Sequence, residues 1–310
     1  MADQIVFGAG PVGRAIAAGL VSQGVAVRLA SRSGTGPALA GVRRMAVDAA
    51  DADAVARAAA GCDVIYNALN PDYTRWVTDW PPMATALLSA AETTGAVLVT
   101  VSNLYAYGPV SGALTEDLPL AAPGKKGQVR AQMFQQALAA HEAGRAKVVE
   151  VRASDYIGPG AESHMGDRVV PRILAGKSVK VVGATDQPHS WTYTDDVATL
   201  AIAAGQDPSS WGRAWHVPSN PARTQAEVVA DLAAVAGVPA PAVSAYPAWL
   251  MSAMGMVNPM IRELKETNYQ FESPFVLDSS AAEGHFGIKP TPWDQVLAAT
   301  VASFRRAAAA

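Results

Sequence analysis

Cysteine is almost missing from this chain: Cys62 is the single thiol in 310 residues. An internal disulfide and any multi-cysteine metal site are therefore excluded. Charge is sparse at 16%, and Lys plus Arg (24) fall just short of Asp plus Glu (27), leaving a net charge of −3. Such a balance offers no basic surface, so no nucleic-acid partner is expected. Long apolar runs are also lacking. The best, Ala248 to Met256, is far below the roughly 18 residues of a membrane-spanning helix, and no membrane partner is expected. The opening MADQIVFGAG runs straight into a strand with no basic-then-apolar leader, from which a cytoplasmic location is expected. The five histidines (His141, His164, His189, His216, His285) show neither i, i+4 pairing nor an H-E-x-x-H spacing, so no metal site is expected. No G-x-S-x-G elbow is present to support a serine hydrolase.

What the chain does have is apolar content. Half of its residues are hydrophobic, enough at this length to bury a core without staples, as one large domain or two unequal ones. Strand and helix patterns alternate through the first half. Strands are predicted at Gln4 to Phe7, Val25 to Ala30, Val42 to Val47, Asp63 to Asn67, Ala96 to Val101 and Lys147 to Arg152. Helices are predicted at Val12 to Gln23, Ala52 to Ala60, Met83 to Thr94 and Val129 to Ala143. That alternation implies an α/β, doubly wound parallel sheet covered by helices on both faces. Beyond about residue 155, Gly158-Pro159-Gly160 and a series of prolines break the pattern into short elements, and five tryptophans gather there (Trp191, Trp211, Trp215, Trp249, Trp293). The expected division is residues 1–155 plus about 188–215 as a dinucleotide-binding domain. The rest, about 156–187 plus 216–310, forms a smaller, mixed substrate domain.

Gly8-Ala9-Gly10-Pro11-Val12-Gly13 is a G-x-G-x-x-G lying between the first predicted strand and the first predicted helix. The first glycine permits the turn, the second lets a pyrophosphate approach the backbone, and the third allows close helix–strand packing. An ordinary glycine-rich turn is the bland alternative; the strand–turn–helix context favours a dinucleotide. The second strand should end at the adenosine ribose, where an acidic residue would favour NAD. Here stand Ser31, Arg32 and Ser33, with Arg14 just past the last motif glycine. A guanidinium and two hydroxyls suit a 2′-phosphate, so NADP is expected over NAD. Asp48 is placed near the adenine, and Asn67, Ala68 and Leu69 under the pyrophosphate and the adjoining ribose.

With these residues in view, the chain resembles the extended short-chain dehydrogenase/reductase superfamily, of NAD-dependent epimerase/dehydratase type. Besides the glycine motif, Val101 to Gly108 (VSNLYAYG) is similar to the family's serine-bearing strand end and Val-Tyr-Gly. Arg152 to Gly160 resembles the segment after the sixth strand, Trp191 to Ala198 the aromatic–Val-Asp-Asp-Val-Ala stretch, and Phe286 to Pro292 the C-terminal Gly-x-x-Pro element. The resemblance implies a Rossmann fold, hydride chemistry and possible dimerisation. It also implies a catalytic Ser with Tyr-x-x-x-Lys, the ammonium bringing the phenol's pKa of about 10 toward working pH. That set is not intact. Asn103 stands at the Ser position beside Ser102, Lys126-Gly127-Gln128-Val129-Arg130 occupies the Tyr-x-x-x-Lys position, and no tyrosine occurs between Tyr107 and Tyr156.

The candidate catalytic residues are therefore Asn103, Tyr105 and Lys126, with Tyr107 and Arg130 beside them. Against them stand the ordinary roles of such residues: tyrosines packed after a buried strand and a solvated lysine pair. Tyr73, Arg75 and Trp76 offer one wall of a substrate pocket or a helix start packed on the sheet. His164, with Glu162 nearby, faces substrate or solvent. The methionine-rich Trp249 to Ile261 is pocket lining, core or a dimer contact. The leading expectation is an NADP-dependent oxidoreductase acting on a small carbonyl or related organic substrate through a non-standard proton relay. The alternatives are a sugar-nucleotide epimerase or dehydratase and, in another class, a non-catalytic NADP-binding regulator.

Overall fold

A computed structural model describes residues 3–36, 38–161 and 163–309, which leaves Glu162 outside the described residues. The first half runs β1 (Asp3–Phe7), α1 (Pro11–Ser22), β2 (Ala26–Ser31), β3 (Val42–Ala46), α2 (Ala52–Ala59), β4 (Cys62–Asn67), α3 (Trp76–Thr94), β5 (Val97–Asn103), α4 (Lys125–Glu142) and β6 (Lys147–Ala153). The second continues β7 (Asp155–Ile157), α5 (Val170–Leu174), β8 (Val179–Val181), β9 (Trp191–Tyr193), α6 (Thr194–Gln206), β10 (Ala214–His216), α7 (Gln225–Ala236) and β11 (Val243–Ala245). It closes with α8 (Ala248–Val257), α9 (Pro259–Leu264), α10 (Tyr269–Glu272), α11 (Ser280–Phe286) and α12 (Trp293–Ala309). No helix among the described residues is long and apolar enough to cross a membrane.

Seven strands form one parallel sheet in the order β10-β6-β5-β4-β1-β2-β3, a doubly wound Rossmann arrangement. Side chains alternate between its faces. Val6, Val64, Tyr66, Val99 and Val151 pack toward α1 and α6, while Ile5, Phe7, Ile65, Leu98 and Val148 pack toward α2 and α3. A third core, with Ile173, Val181, Trp191, Val229, Leu232 and Val296, holds the C-terminal elements together. The small pairs β7–β9 and β8–β11 stand outside the main sheet.

Helix α3 begins at Trp76, seven residues ahead of the predicted start, and runs through Pro81 and Pro82. The two missing N–H donors fall near exposed Val77 and Thr78, where water can serve the freed carbonyls, so the penalty of a buried proline break does not arise. Two of the stretches quoted for the family resemblance meet in space. Asp196 accepts bonds from the Thr291 backbone N–H at 2.9 Å and hydroxyl at 2.6 Å, tying the C-terminal Pro290–Pro292 element to α6.

Candidate functional site

The strand order reverses direction between β1 and β4, so the tips of β1, β2 and β4 converge: Phe7 is in register with both Ala30 and Asn67. The Gly8 N–H donates to Ala30 O at 2.9 Å, and the Ala68 N–H donates to Phe7 O at 2.8 Å. The three glycines then divide by role. A Cβ on Gly8, whose φ is 111°, would lie 2.3 Å from Ala68 O, and one on Gly13 would lie 1.9 Å from Gly8 O. Those two are required by packing. Gly10 is different: a Cβ there would meet nothing within 4 Å. It caps α1 with no side-chain bond and no acidic residue in the first turn, so the first N–H groups of the helix have no local side-chain partner. An open approach over free N–H donors at a topological switch point fits a pyrophosphate. Pro11 and Val12 open the helix, and Arg14 Nε donates to Ala9 O at 2.7 Å, bracing the turn from its outer side.

At the end of β2, Ser31 and Ser33 bind Thr35, through its carbonyl at 2.9 Å and its hydroxyl at 2.6 Å, shaping a short loop. Arg32 on that loop is exposed, and no ion pair engages it among the described residues. Asp48 is exposed and accepts the Ala50 N–H at 3.0 Å, while the buried Asn67 turns its side-chain carbonyl to the Leu69 N–H at 3.3 Å. Ala68 and Leu69 lie half-buried beside the turn.

The tips of β5 and β6 are filled by side chains. Asn103 accepts the Tyr105 N–H at 3.1 Å and so shapes the turn after β5. The Tyr105 ring lies on Trp76, 5.8 Å between centroids, with Tyr73 and Gln270 at its hydroxyl. Burial pushes the Tyr105 phenol well above its ordinary value of 10, with Tyr73 and Asp155 adding to the effect. It is thus a proton donor held in the neutral form. Lys126 is almost wholly buried, its Nζ bound to Glu263, 3.8 Å from Glu266, and 4.6 Å over the Tyr73 ring. Glu266 also accepts the Lys126 backbone N–H, which caps α4 from another part of the chain. Gly124 leaves room for that carboxylate: a Cβ there would meet it at 2.5 Å. Tyr73 and Trp76 pack with Trp80 and Tyr105 in one aromatic cluster, whereas Arg75 points outward to Asp79 at 2.9 Å.

Arg130 is buried, stacked 4.7 Å over Trp76 and 4.2 Å over Trp80, with Nε and Nη1 unpartnered. Burial lowers its guanidinium to about 10. The Ser102 and Ser154 hydroxyls are also buried without partners. Tyr107 belongs instead to a closed network. Arg152 Nη1 donates to its hydroxyl at 2.6 Å, the hydroxyl reaches His216 Nε2 at 2.8 Å, and Arg152 Nε pairs with Glu150 at 2.7 Å. His164 sits away from open solvent, its Nε2 accepting the Val182 N–H at 3.2 Å, and burial lowers it to about 4. In the methionine-rich stretch, Ile261 is buried, whereas Trp249, Met256 and Val257 are exposed.

Sequence reasoning passed over a second group on this side: Asp155, His189, Glu263, Glu266, Thr267 and Gln270. Asp155 pairs with His189 at 2.9 Å across 34 residues, and Thr267 bonds the Tyr73 hydroxyl at 2.9 Å across 194. Asp155 was within reach, as a polar residue two positions past the sixth strand. The others are brought in by tertiary packing alone.

A family model described as NAD dependent epimerase/dehydratase family matches residues 5–217. No curated protein sequence matches the chain. Among solved structures, UDP-glucose 4-epimerase from Thermotoga maritima, with UDP-glucose, superposes with a TM-score of 0.80 at 16% identity, covering 99% of each chain. UDP-glucuronic acid 4-epimerase from Bacillus cereus, in complex with NAD, gives 0.79 at 17% identity over 98% of this chain and 99% of that one. A double mutant of dTDP-glucose 4,6-dehydratase from Streptomyces venezuelae, with NAD bound, gives 0.77 at 21% identity over 98% and 97%.

Proposed function

The chain belongs to the NAD-dependent epimerase/dehydratase family, and from that premise we propose that it is a nicotinamide-dinucleotide-dependent enzyme acting on a carbonyl or carbinol carbon at the tips of β5 and β6. The observation that carries this reading is Gly10, open above the uncapped start of α1 where the strand order reverses. Gly8, Gly10, Pro11, Val12, Gly13 and Arg14 would hold the pyrophosphate side, with Asn67, Ala68 and Leu69 beneath it. Ser31, Arg32, Ser33 and Asp48 would hold the adenosine. Residues 1–155 with about 188–215 thus carry the cofactor, and the remainder shapes the substrate pocket. When bound, the cofactor supplies or accepts the hydride; the chain orients the reacting carbon and handles the proton.

Seven solved neighbours contain NAD, but at the end of β2 this chain presents Arg32 and no carboxylate. We therefore assign it NADP. Solved neighbours named for UDP-glucose, UDP-glucuronic acid and dTDP-glucose support a sugar nucleotide as substrate, ahead of the small carbonyl compound expected from sequence. The smaller substrate is the second reading, favoured by the aromatic lining of Tyr73, Trp76 and Tyr105. Tyr105 is proposed to donate a hydrogen bond to substrate oxygen and Asn103 to position it. Lys126, committed to Glu263 and Glu266, is proposed to hold the C-terminal elements over the site.

A fluorescence titration with NADPH and, separately, NADH tests the reading. Micromolar NADPH binding with weaker NADH is expected. Preference for NADH would remove Arg32 from the site, and binding of neither would leave the glycine turn purely structural. Cofactor binding with no turnover on either sugar nucleotides or a carbonyl panel would point to a regulator.

A further inference from the structure

His189 is nearly wholly buried, and both of its ring nitrogens face acceptors. Nδ1 lies 3.1 Å from the Gln270 carbonyl oxygen, and Nε2 lies 2.9 Å from a carboxylate oxygen of Asp155. A carbonyl oxygen only accepts, so Nδ1 carries hydrogen. A neutral imidazole would then turn a bare Nε2 toward a bare carboxylate oxygen, two acceptors in contact with nothing between them. The geometry closes only if one further proton sits between Asp155 and His189. The other buried histidines need none. His216 Nδ1 faces the Asp278 carbonyl at 3.0 Å, but its Nε2 accepts from the Tyr107 hydroxyl. His164 Nε2 accepts a backbone N–H.

The ring of His189 is clamped by Phe271 and Phe275, stacked at 4.6 and 5.5 Å between centroids, and by Trp191 at 4.7 Å. Asp155, by contrast, keeps 23% of its side chain exposed just beyond the end of β6. Parallel pairing of β7 with β9, Asp155 opposite Trp191, brings the two together. The ionisable groups facing Asp155 are Tyr73 before α3, Tyr105 after β5, Tyr156 on β7, His164 before α5 and Tyr269 on α10. Burial holds the phenols neutral and lowers His164; the other charged groups on these walls are Lys126 with Glu263 and Glu266, against Tyr73, and Arg130, beside Tyr105 and Tyr156.

We propose that Asp155 is the acid–base residue of this site and that His189 is the positioning residue that keeps a proton on the pair. Together they take the place of the Tyr and Lys that the chain lacks. This rests on the reading of the site as one that turns over a carbonyl or carbinol carbon. In reduction, a bound reduced nicotinamide would supply the hydride to the carbonyl carbon, and the C=O π pair would move onto oxygen. That oxygen takes the shared proton through Asp155, leaving a carboxylate and an imidazole protonated on Nδ1 alone. Water reprotonates the pair at the exposed edge of Asp155; oxidation runs the same steps in reverse.

The proton count can be read in the full-length protein without substrate or cofactor, by nitrogen-15 NMR of labelled histidine rings and carbon-13 NMR of Asp155. At pH 7 the pair should carry the extra proton, as a doubly protonated His189 or a protonated Asp155, while His216 shows one ring N–H. Asp155→Asn should leave His189 neutral. A neutral His189 beside a bare Asp155 carboxylate in the wild-type protein overturns the proposal. Because the wild type decides, a variant that fails to fold does not. His189→Gln or Asp155→Asn, whichever folds, assigns the resonance. With any substrate that consumes NADPH, Asp155→Asn should lower kcat at least ~100-fold with little change in KM, the usual worth of a general acid. His189→Gln should shift the pH profile of kcat. Unchanged kcat in Asp155→Asn also overturns the role. Failure of the wild type to bind a nicotinamide dinucleotide would instead defeat the functional reading and leave the proton count standing.

Discussion

The two ends of the site are built in opposite ways. At the tips of β1, β2 and β4, the proposed recognition would depend on what is left out: a missing side chain at Gly10, a missing side-chain cap at the start of α1, a missing acid after β2. At the tips of β5 and β6 it depends on what has been brought in. Lys126, Arg130, Tyr73 and Tyr105 are packed together and closed over by Glu263, Glu266 and Gln270 from the far end of the chain. Backbone geometry serves any dinucleotide, so the first end keeps the family pattern. Side chains set the chemistry, and there the chain has departed from it.

The sharpest way to break this comparison is a pair of variants in the glycine turn. Gly13→Ala, driving a Cβ to 1.9 Å from Gly8 O, should cost about 3 kcal/mol or more in a denaturant melt and abolish cofactor binding. Gly10→Ala should cost under about 1 kcal/mol yet weaken the dinucleotide at least tenfold. Equal destabilisation by the two would mean that the open space at Gly10 is not a binding surface. At the other end, Lys126→Met removes a buried partner of Glu263 and Glu266. Both carboxylates keep some exposure and can rehydrate, so a loss of about 2 kcal/mol is expected in thermal unfolding, below that of a fully buried pair. Unchanged stability would show that the ion pair does not hold the closure.

Arg32→Asp should weaken NADPH about tenfold, near 1.4 kcal/mol, and leave NADH almost unaffected. A parallel loss for both cofactors would trace the effect to the loop's shape. The smallest effect concerns pH. The fold lowers His164 from 6.5 to about 4 by burial, so the unfolded chain binds the extra proton between those values. His164 therefore contributes stability that is fully present above 6.5 and is lost as pH falls toward 4, about 1 kcal/mol by pH 6. His164→Gln should flatten that part of the stability–pH curve; an unaltered slope would assign it to other groups.

The alternating strands and helices were legible because each buries a face within its own ten or fifteen residues. The start of α3 was not, since it runs through Pro81 and Pro82, which helix interiors ordinarily exclude and which are accommodated here only because that turn is exposed. In the same way Gly8-x-Gly10-x-x-Gly13 could be read in place, as could Asn103 at the end of the fifth strand and Tyr105 just beyond it. What Lys126 does could not be read: its sequence neighbours say a solvated pair with Lys125, and only Glu263 and Glu266 make it a buried one. His189 stayed hidden among scattered histidines for the same reason. Its partner is supplied by strand pairing between β7 and β9 rather than by spacing.

The cap that Glu266 places on α4 also sets an order of events as the chain is made. Two lysines open that helix, the wrong charge for its positive end, and no local side chain caps it. The carboxylate that corrects this lies 140 residues downstream. Until the ribosome has added that stretch, the start of α4 has only its packing on Tyr105, Trp76 and Trp80 and lacks its carboxylate cap, so the substrate side stays incomplete while the nucleotide side can already form. A chain stopped before α9 should therefore keep its glycine turn and still lack a finished pocket.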